Sequence, residues 1–525
     1  MELLWPTDIV PNVMDWAWVD STAVYNSPTS GASRTVSRPG MRLVCTMTFT
    51  GLTAAKRAKA LAAVSNLRGR SNRIWLTDET YKRRGTFPVS ELLPNNTFTN
   101  GIVGLGSQNA TLTNIDGSIR IEGQYPQATV PGLSYTSPPP TVAQYVPYAM
   151  RSMMRLGKGF SAATYGPYLD SGGNAAFNYK ASPGISTTSV ITLATSAGAV
   201  PAVANQTSGW TAGDYAWCDY VSLARCALVD GSPNALLQSD LPANAVWSKV
   251  NCTVGTVAAG PTNLTDAYPI TENTTPTVSH YVTQTAIKSA VNEDWCGYIE
   301  AKANGRTLLR LVIGDNATNY SECTFDLTTG NVSSISNIGT GTFARSGGAI
   351  NLGNGWWGCW IVAKVAAAIT TTNTFAYYLK DGTGASTYTG NGTSGVLVRR
   401  AGYSVGGVAS MPSQTTTTAI TNVVQSGIGI NIKGLPGSVA NLLMPGDWID
   451  VNGQLNMVTS PLTSNAAGMG YLQVARPFTT PPTNNTPVVI QRPMGRFILA
   501  QEETGWSSMP GVFSEMSLSF VEDIA

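Results

Sequence analysis

The two ends of this chain share a character that its middle lacks. Residues 1–93 hold 12 of the 32 basic residues, one helical segment and several strand-like runs. From about residue 418 onward the sequence returns to strands separated by Pro and Gly corners. The residues between them are rich in Thr, Ser, Asn and Gly and carry very few charges. This layout predicts one scaffold domain, built from both ends of the chain, that carries a large insertion.

The composition favours many short strands over helices. Charged residues make up only 12% of the 525 residues, while apolar residues make up 43%. Because disordered chains combine low hydrophobicity with high charge, this balance argues against disorder. The length predicts about three to four domains. A net charge of +2 gives no reason to expect sequence-specific nucleic-acid binding.

One strand and one helix stand out near the amino terminus. In the run 41–50, Leu43, Cys45, Met47 and Phe49 alternate with polar residues, which is the pattern of a half-buried strand. The next stretch predicts a helix over 54–67, because good helix formers follow a capping Thr53 and precede Gly69. The chain closes on the alternating run 517–522, and we expect that strand to pair with the amino-terminal strands.

These patterns predict four segments and a mainly β fold. Residues 1–93 and 411–525 form a discontinuous β-sandwich scaffold with one helix. Residues 94–245 form a first inserted β module, and residues 246–410 form a second, whose strands and turn signals predict a jelly-roll β-sandwich. A chain that lacks 94–417 should therefore leave a folded remnant.

The seven cysteines are odd in number and lack the spacing of metal ligands, so we expect buried free thiols and no metal or cofactor. The first residues lack the basic and apolar regions of a signal peptide. No apolar run reaches 18 residues, so we expect no membrane insertion.

Several motifs resemble a known family. The helix leading into Leu67-Arg68-Gly69-Arg70 and the strand 74–76 resemble the amino-terminal domain of distal tail proteins from long-tailed bacteriophages. Their carboxy-terminal part is similar to the Pro445-Gly446-Asp447-Trp448 turn, Ala475-Arg476-Pro477-Phe478, Pro493-Met494-Gly495-Arg496-Phe497 and the closing Phe520-Val521-Glu522. Residues 247–400 resemble the concanavalin-like jelly-roll modules inserted in phage tail and fibre proteins, through Phe325-Asp326-Leu327-Thr328-Thr329-Gly330 and Gly353-Asn354-Gly355-Trp356-Trp357.

This resemblance implies a ring that closes the tail tube at the tail tip, usually a hexamer, with inserts that touch the host surface. The expected partners are then further copies of this chain, the tail tube and hub proteins, and a host cell-surface glycan. The implied location is the virion, after synthesis in the host cytoplasm.

Enzyme chemistry has few residues to use. His280 is the only histidine, so catalytic triads and histidine metal sites would depend on one residue. Glycosidases pair two carboxylates, and no Glu-x-Asp-x-Glu run occurs. We therefore predict no catalytic residues and no enzyme. A glycan depolymerase remains a third possibility, with Glu293 or Glu300 as the residues to test.

Saccharide binding requires aromatic rings and a few polar groups. The candidates lie in the second inserted module, and they are Trp356, Trp357, Trp360, Tyr377, Tyr388, Asp315 and Asn316. In a strand, Trp356 and Trp360 share one face and Trp357 takes the other, and one of these faces must be core. Core packing is the competing interpretation for each tryptophan.

Basic residues near the amino terminus are candidates for a subunit contact. They are Lys56 and Arg57 on the helix and Lys82, Arg83 and Arg84 in the following turn. A solvated surface is the alternative. Together these features predict a tail-tip ring protein whose inserts bind host saccharide. The alternative is a purely structural tail component whose inserts dock other tail or fibre proteins.

Overall fold

The fold is seen in a computed structural model of the chain. The described residues are 2–6, 8–20, 23–26, 28–36, 40–88, 102, 105–108, 110–115, 118–123, 132–135, 141–143, 146–156, 163–165, 168–169, 175–176, 179–181, 185–193, 198–199, 215–287, 293–315, 317–366, 369, 373–501, 506–508 and 514–523.

The first elements are β1 (Glu2–Leu4), β2 (Val13–Val19), β3 (Ala23–Asn26), β4 (Ser33–Val36), β5 (Arg42–Leu52), α1 (Ala54–Leu67) and β6 (Arg73–Leu76). The next are β7 (Leu105–Gln108), β8 (Ala110–Ile115), β9 (Ser118–Gly123), β10 (Gly132–Tyr135), β11 (Thr141–Val142), β12 (Pro147–Leu156), β13 (Ala163–Tyr165), β14 (Tyr168–Leu169), β15 (Ala175–Ala176), β16 (Tyr179–Ala181), β17 (Ile185–Leu193), β18 (Gly198–Ala199), β19 (Tyr215–Arg225) and β20 (Ala227–Val229).

The third group is β21 (Ser248–Val250), β22 (Cys252–Val254), β23 (Ala258–Ala259), β24 (Thr265–Glu272), β25 (Val278–Ala286), β26 (Asp294–Asn304), β27 (Leu308–Gly314), β28 (Tyr320–Asp326), β29 (Val332–Ile338), β30 (Phe343–Gly353), β31 (Trp356–Lys364), β32 (Asn373–Lys380), β33 (Thr387–Tyr388) and β34 (Gly395–Val405). The last group is β35 (Gly429–Lys433), β36 (Trp448–Val451), β37 (Gln454–Met457), β38 (Gly470–Gln473), β39 (Pro487–Val489), β40 (Gly495–Leu499), β41 (Trp506–Ser508) and β42 (Ser514–Glu522). The predicted mainly β fold is confirmed.

The predicted helix is confirmed with its bounds. The hydroxyl of Thr53 accepts a hydrogen bond from the Lys56 amide at 3.4 Å, which satisfies one of the free amides at the helix start. The helix ends at Arg68, which adopts the left-handed conformation just before Gly69.

The closing strand pairs with the amino-terminal strands. One sheet, which we call the scaffold sheet, runs in the order β1-β6-β40-β42-β5-β2, with β41 beside β42. In β5 the alternating residues Leu43, Cys45, Met47 and Phe49 are all buried, as the pattern predicts. Phe520 of β42 lies opposite Cys45, so both ends of the chain contribute to one core.

Two buried carboxylates hold the scaffold sheet to the carboxy-terminal loops. Glu522 pairs with Arg476, and each is almost completely buried. The other oxygen of Glu522 accepts the Leu43 amide at 3.2 Å. Asp447 is also fully buried and accepts the amides of Gly85 and Met444 at 2.9 and 2.8 Å. The bonds from Leu43 to Glu522 and from Gly85 to Asp447 connect residues that are more than 350 positions apart.

A second sheet joins the carboxy-terminal part to a strand from the middle of the chain. Its order is β37-β36-β39-β20-β35-β38. The strand β20 lies inside it, with Leu228 opposite Lys433 on one side and Pro487 on the other. A strand of the predicted first module therefore completes a sheet of the predicted carboxy-terminal segment. Sequence proximity did not indicate this pairing, because its partners lie about 200 residues away.

The described strands of residues 105–225 form one five-stranded sheet and four two-stranded sheets. The five-stranded sheet has the order β17-β12-β19-β9-β8. It contacts the carboxy-terminal sheet through an ion pair between Arg151 of β12 and Asp450 of β36.

Residues 248–405 form a β-sandwich of two sheets. One, the first sandwich sheet, has the order β21-β25-β32-β27-β28-β29, with β33 beside β25. The other, the second sandwich sheet, has the order β22-β24-β34-β26-β31-β30, with β23 beside β24. Residues of both sheets, among them Leu311, Phe375 and Ile361, share one hydrophobic core. The strand predicted around His280 is confirmed as β25.

All seven cysteines are free and buried, as predicted. Burial raises the pKa of Cys296 to about 11 and the pKa values of Cys226 and Cys252 to about 12. Within the described residues, no helix has the length and apolar content needed to cross a bilayer.

The sandwich connects to the rest of the chain through two adjacent segments. The Ser239 amide donates to the Thr415 carbonyl at 3.3 Å, and the Thr415 amide donates to the Ser239 hydroxyl at 2.9 Å. Deleting 240–414 and joining these neighbours through a short Gly-Ser linker should leave a soluble protein that melts cooperatively. Circular dichroism melting would measure this.

The matched comparison is the deletion of 94–417, the cut that the predicted boundaries indicate. It also removes β20 from the interior of its sheet and exposes the edges of β39 and β35, so we expect it to aggregate. Cooperative melting of the longer deletion, or loss of folding in the shorter one, would contradict this architecture.

Candidate functional site

Two adjacent tyrosines on β32 point to opposite faces of the sandwich. Tyr377 is 1% exposed and lies in the core, where it contacts Trp247. Tyr378 belongs instead to a separate cluster on the outer face of the first sandwich sheet, together with Val312 and Ala376. Successive strand residues alternate between faces, so the outer residues are those that the core leaves out. The burial of Tyr377 leaves its ring no surface for a ligand.

The outer face carries a row of stacked side chains that we call the tyrosine face: Tyr281, Tyr378, Arg310 and Tyr320. The rings of Tyr281 and Tyr378 stack with their centroids 4.4 Å apart and their planes at 19°. The guanidinium of Arg310 lies 4.3 Å from the Tyr378 centroid and 5.5 Å from the Tyr320 centroid. Register explains the row, since Tyr281 lies opposite Tyr378 and Tyr378 opposite Arg310.

Arg310 is held in place by polar partners. Its Nε lies 2.9 Å from a carboxylate oxygen of Glu322, and its Nη1 donates to the Ser386 hydroxyl at 3.0 Å. Glu322 is itself fixed, because its other oxygen accepts the Ser336 hydroxyl at 2.8 Å. A guanidinium fixed on both sides keeps the neighbouring rings in one orientation.

The rings pack against two apolar residues on the outer face, and polar groups lie beside them. Val312 and Ala376 lie opposite each other on adjacent strands, and both are fully covered. The Lys380 ammonium, beside the row, donates to the Thr324 hydroxyl at 3.3 Å. Tyr281 and Tyr320 are half-buried, while Tyr378 is only 6% exposed and supports the Tyr281 ring. Partly exposed rings next to hydrogen-bonding groups, all on strands, form a rigid surface that can stack on an apolar ring and bind its polar substituents.

The three predicted tryptophans lie on β31 at the second sandwich sheet. Trp357 faces the core, and its ring lies against Gly330, which has a φ of 75° and leaves no space there for a side chain. Trp356 and Trp360 lie on the outer face, as their spacing predicts, but Trp356 is only 1% exposed. The half-buried Trp360 ring packs over Gly348, 3.0 Å from where a Cβ would lie.

Tyr388 lies on β33, which pairs with β25 in the first sandwich sheet. Its hydroxyl donates to Glu272 at 2.8 Å, and its ring is 4.7 Å from that of His280. Arg306 forms a two-bond pair with Glu272 at 2.6 and 2.8 Å. Burial alone would raise the pKa of Glu272, but the bonds from Arg306, the Asn391 amide and Tyr388 lower it below its ordinary value.

The loop candidates behave differently. One carboxylate oxygen of Asp315 accepts the amides of Ala317, Thr318 and Asn319 at 2.8–2.9 Å, so this carboxylate stabilises its own turn. Asn316 lies outside the described residues.

The predicted contact residues lie near the surface of the scaffold. Lys56, Lys82 and Arg84 are exposed, while Arg57 and Arg83 are half-buried. The backbone of the basic turn is fixed, because the Arg84 amide donates to Asp447 at 2.7 Å.

The carboxylates named for a depolymerase are engaged with other groups. Glu300 is 3% exposed, and its oxygens lie 2.8 Å from Arg399 and 3.6 Å from Arg400. Burial raises its pKa despite these cations. Glu293 accepts the indole N–H of Trp295 at 3.0 Å.

Sequence reasoning therefore missed Tyr281, Tyr320, Tyr378 and Arg310. Alternation gave a signal in β28, where Tyr320 and Glu322 share one face and Cys323 and Phe325 the other. It gave none for Tyr378, because β32 is buried on both faces. In the described residues, no three His, Cys, Asp or Glu side chains come together in a way that could hold a metal ion.

Comparisons with known proteins give little more. No family model matches the chain, and no curated protein matches it. Among solved structures it is similar to the N-terminal CBM22-1–CBM22-2 tandem domain of Paenibacillus barcinonensis Xyn10C, at 12% identity and a TM-score of 0.22, over 62% of this chain and all of that one. A TM-score this low carries no argument about fold or function.

The Glu272 pair gives a prediction about acid stability. Replacing Glu272 with Gln leaves Arg306, whose side chain is 16% exposed, without its charged partner. The free energy of unfolding at pH 7 should fall by about 3 kcal/mol, the low end for a buried pair. The native carboxylate has a lowered pKa, so its stabilisation is present at neutral pH and is lost as the pH falls through that pKa. The difference from the native chain should therefore shrink below about pH 4.

Urea unfolding at several pH values would measure the effect. The matched control is Asp8→Asn, which removes an exposed pair with Lys59 and should cost about 1 kcal/mol or less. A cost for Glu272→Gln that does not change with pH would contradict this account.

Proposed function

We propose that this chain is a structural protein of a phage tail tip whose β-sandwich binds a host cell-surface saccharide through the tyrosine face. Two features support the two halves of the proposal. The scaffold is built from both chain ends with an insertion between them, which supports the proposed role of a structural protein that carries a binding module. The Tyr281–Tyr378–Arg310 row carries the saccharide half.

The chemistry of the row suits a sugar. A pyranose has an apolar face that stacks on an aromatic ring and hydroxyls that need donors and acceptors. The half-buried rings of Tyr281 and Tyr320 offer the stacking surface, and the buried Tyr378 holds Tyr281 in place. Arg310, Glu322 and Lys380 offer the hydrogen-bonding groups. One shallow site of this kind gives roughly −4 to −6 kcal/mol, so adhesion would need several copies. A ring of copies would raise the avidity by about a hundredfold or more.

The test uses the full chain and a panel of bacterial surface polysaccharides. Tyr281→Ala removes one stacked ring and should weaken binding about tenfold, which corresponds to ~1.4 kcal/mol. Tyr320→Ala should act in the same direction. Glycan arrays and calorimetry would measure the loss.

The matched control is Tyr471→Ala, which removes a tyrosine that is 55% exposed on the carboxy-terminal sheet. It should bind as the native chain does. Trp360→Ala tests the other outer face. Binding that survives Tyr281→Ala but not Trp360→Ala would move the site to the second sandwich sheet, and no binding to any saccharide would remove this half of the function.

The alternative is a purely structural tail component whose insert docks other tail or fibre proteins. This alternative would be favoured if the native chain captures a tail protein but does not bind bacterial cells. The 240–414 deletion should then lose that capture. We expect no sugar release. Release that Glu300→Gln abolishes would indicate a depolymerase instead.

The proposal that several copies of this chain assemble into a ring depends on the basic residues of the scaffold. We propose that the exposed side chains of Lys56, Lys82 and Arg84 contact a neighbouring copy or an adjoining tail protein. If they join copies, the triple change to Glu should reduce the assembled fraction at least tenfold in light scattering after size exclusion. Changing Lys302 to Glu, on the sandwich, is the control. Unchanged assembly would exclude these residues from the contact between copies.

A further inference from the structure

Lys433 is a completely buried lysine at the end of β35. Its side chain is 0% exposed, and its Nζ donates to the Asn484 carboxamide oxygen at 2.8 Å. The same nitrogen lies 3.5 Å from a carboxylate oxygen of Asp230, whose side chain is only 3% exposed. Burying a charged amine costs free energy unless hydrogen bonds and opposite charges around it compensate for the lost water.

Register explains why the three side chains meet. Lys433 lies opposite Leu228 of β20, and Asp230 follows that strand directly. The other side of β20 pairs with β39, and Asn484 lies in the loop just before β39. The three groups therefore meet over one end of β20, from three separate segments of the chain.

The surroundings are arranged for reaction of the amine with the carboxamide. Burial lowers the pKa of Lys433, although Asp230 opposes this, and the neutral form of an amine is the nucleophile. The Asn484 oxygen also accepts the Gly231 amide at 3.1 Å, so two donors polarise its carbonyl. The backbone amide of Asn484 donates to the side-chain oxygen of Asn422 at 2.7 Å, which fixes the loop.

Asp230 is held in position to transfer protons. One oxygen accepts the Ser410 hydroxyl at 2.5 Å and the Ser232 amide at 3.0 Å, and the other accepts the Met411 amide at 3.2 Å. A carboxylate fixed by these bonds cannot turn away from the lysine. It is the one carboxylate within ion-pair distance of Lys433 among the described residues.

We propose that Lys433 and Asn484 join in an intramolecular isopeptide bond, with Asp230 as the proton carrier. The Lys433 Nζ attacks Cγ of Asn484, so an Nζ–Cγ bond forms and the Cγ–Nδ2 bond breaks. Asp230 takes the proton that the amine loses and gives it to the departing nitrogen, which leaves as ammonia. An amine and a primary amide become a secondary amide and ammonia, so no oxidant or co-reactant is needed.

The product links β35 to the loop before β39 across the end of β20. It closes a covalent ring over residues 433–484. Because proximity replaces a collision between separate groups, such a step can proceed without an enzyme.

The test is mass spectrometry of the purified full chain. The intact mass should lie about 17 Da below the sequence mass, the loss of one ammonia. A tryptic digest of the denatured protein should contain a branched peptide that joins Lys433 to Asn484, with no cleavage after Lys433. Lys433→Met and Asp230→Asn should both restore the full mass.

The matched control is Lys249→Met, which changes a partly buried lysine whose Nζ donates to the Asn244 carbonyl at 2.9 Å. It should keep the 17 Da deficit. The native chain decides the matter even if a variant does not fold. A native mass equal to the sequence mass, with trypsin cleaving after Lys433, would overturn the proposal. So would a deficit that persists in Lys433→Met, or a loss of about 18 Da with Lys433 joined to Asp230.

Discussion

The pairing of β42 between β40 and β5 is the constraint on which the rest of the structure depends. It joins residues that are almost 480 positions apart, at a large cost in chain entropy that only the shared core can offset. The residues between β6 and β40 leave the scaffold sheet and return to it at one place, because Leu76 and Gly495 are direct partners on these two strands. A long insertion that leaves and returns at paired residues adds little strain to the sheet that carries it.

A chain with few charges uses many of them in its interior. Glu522 with Arg476, Asp450 with Arg151 and Glu272 with Arg306 each connect separate strands or loops. Such pairs contribute little net stability compared with apolar packing, but removing one partner is costly because the other charge stays buried. Their value here is specificity, since each fixes which distant segments meet.

Local patterns predicted local structure well. The helix from Ala54 to Leu67 and the alternating strand β5 follow from capping, propensity and period, and the structure has both. The face of Tyr377 could not be predicted in this way, because β32 is covered on both sides and seven of its eight residues are buried. Trp356 shows the same difficulty, since its position on the outer face did not imply exposure. The place of β20 depends on partners far away in sequence, which no local pattern encodes.

The inert thiols have a practical consequence. All seven native cysteines are buried, and burial raises the pKa of six of them, which disfavours their thiolate forms. A single cysteine introduced at the exposed Thr285, on the strand that carries Tyr281, would then be the one group that reacts readily with a maleimide dye. Ligand occupancy beside it could be followed by fluorescence without first removing any natural sulfur atom from the protein.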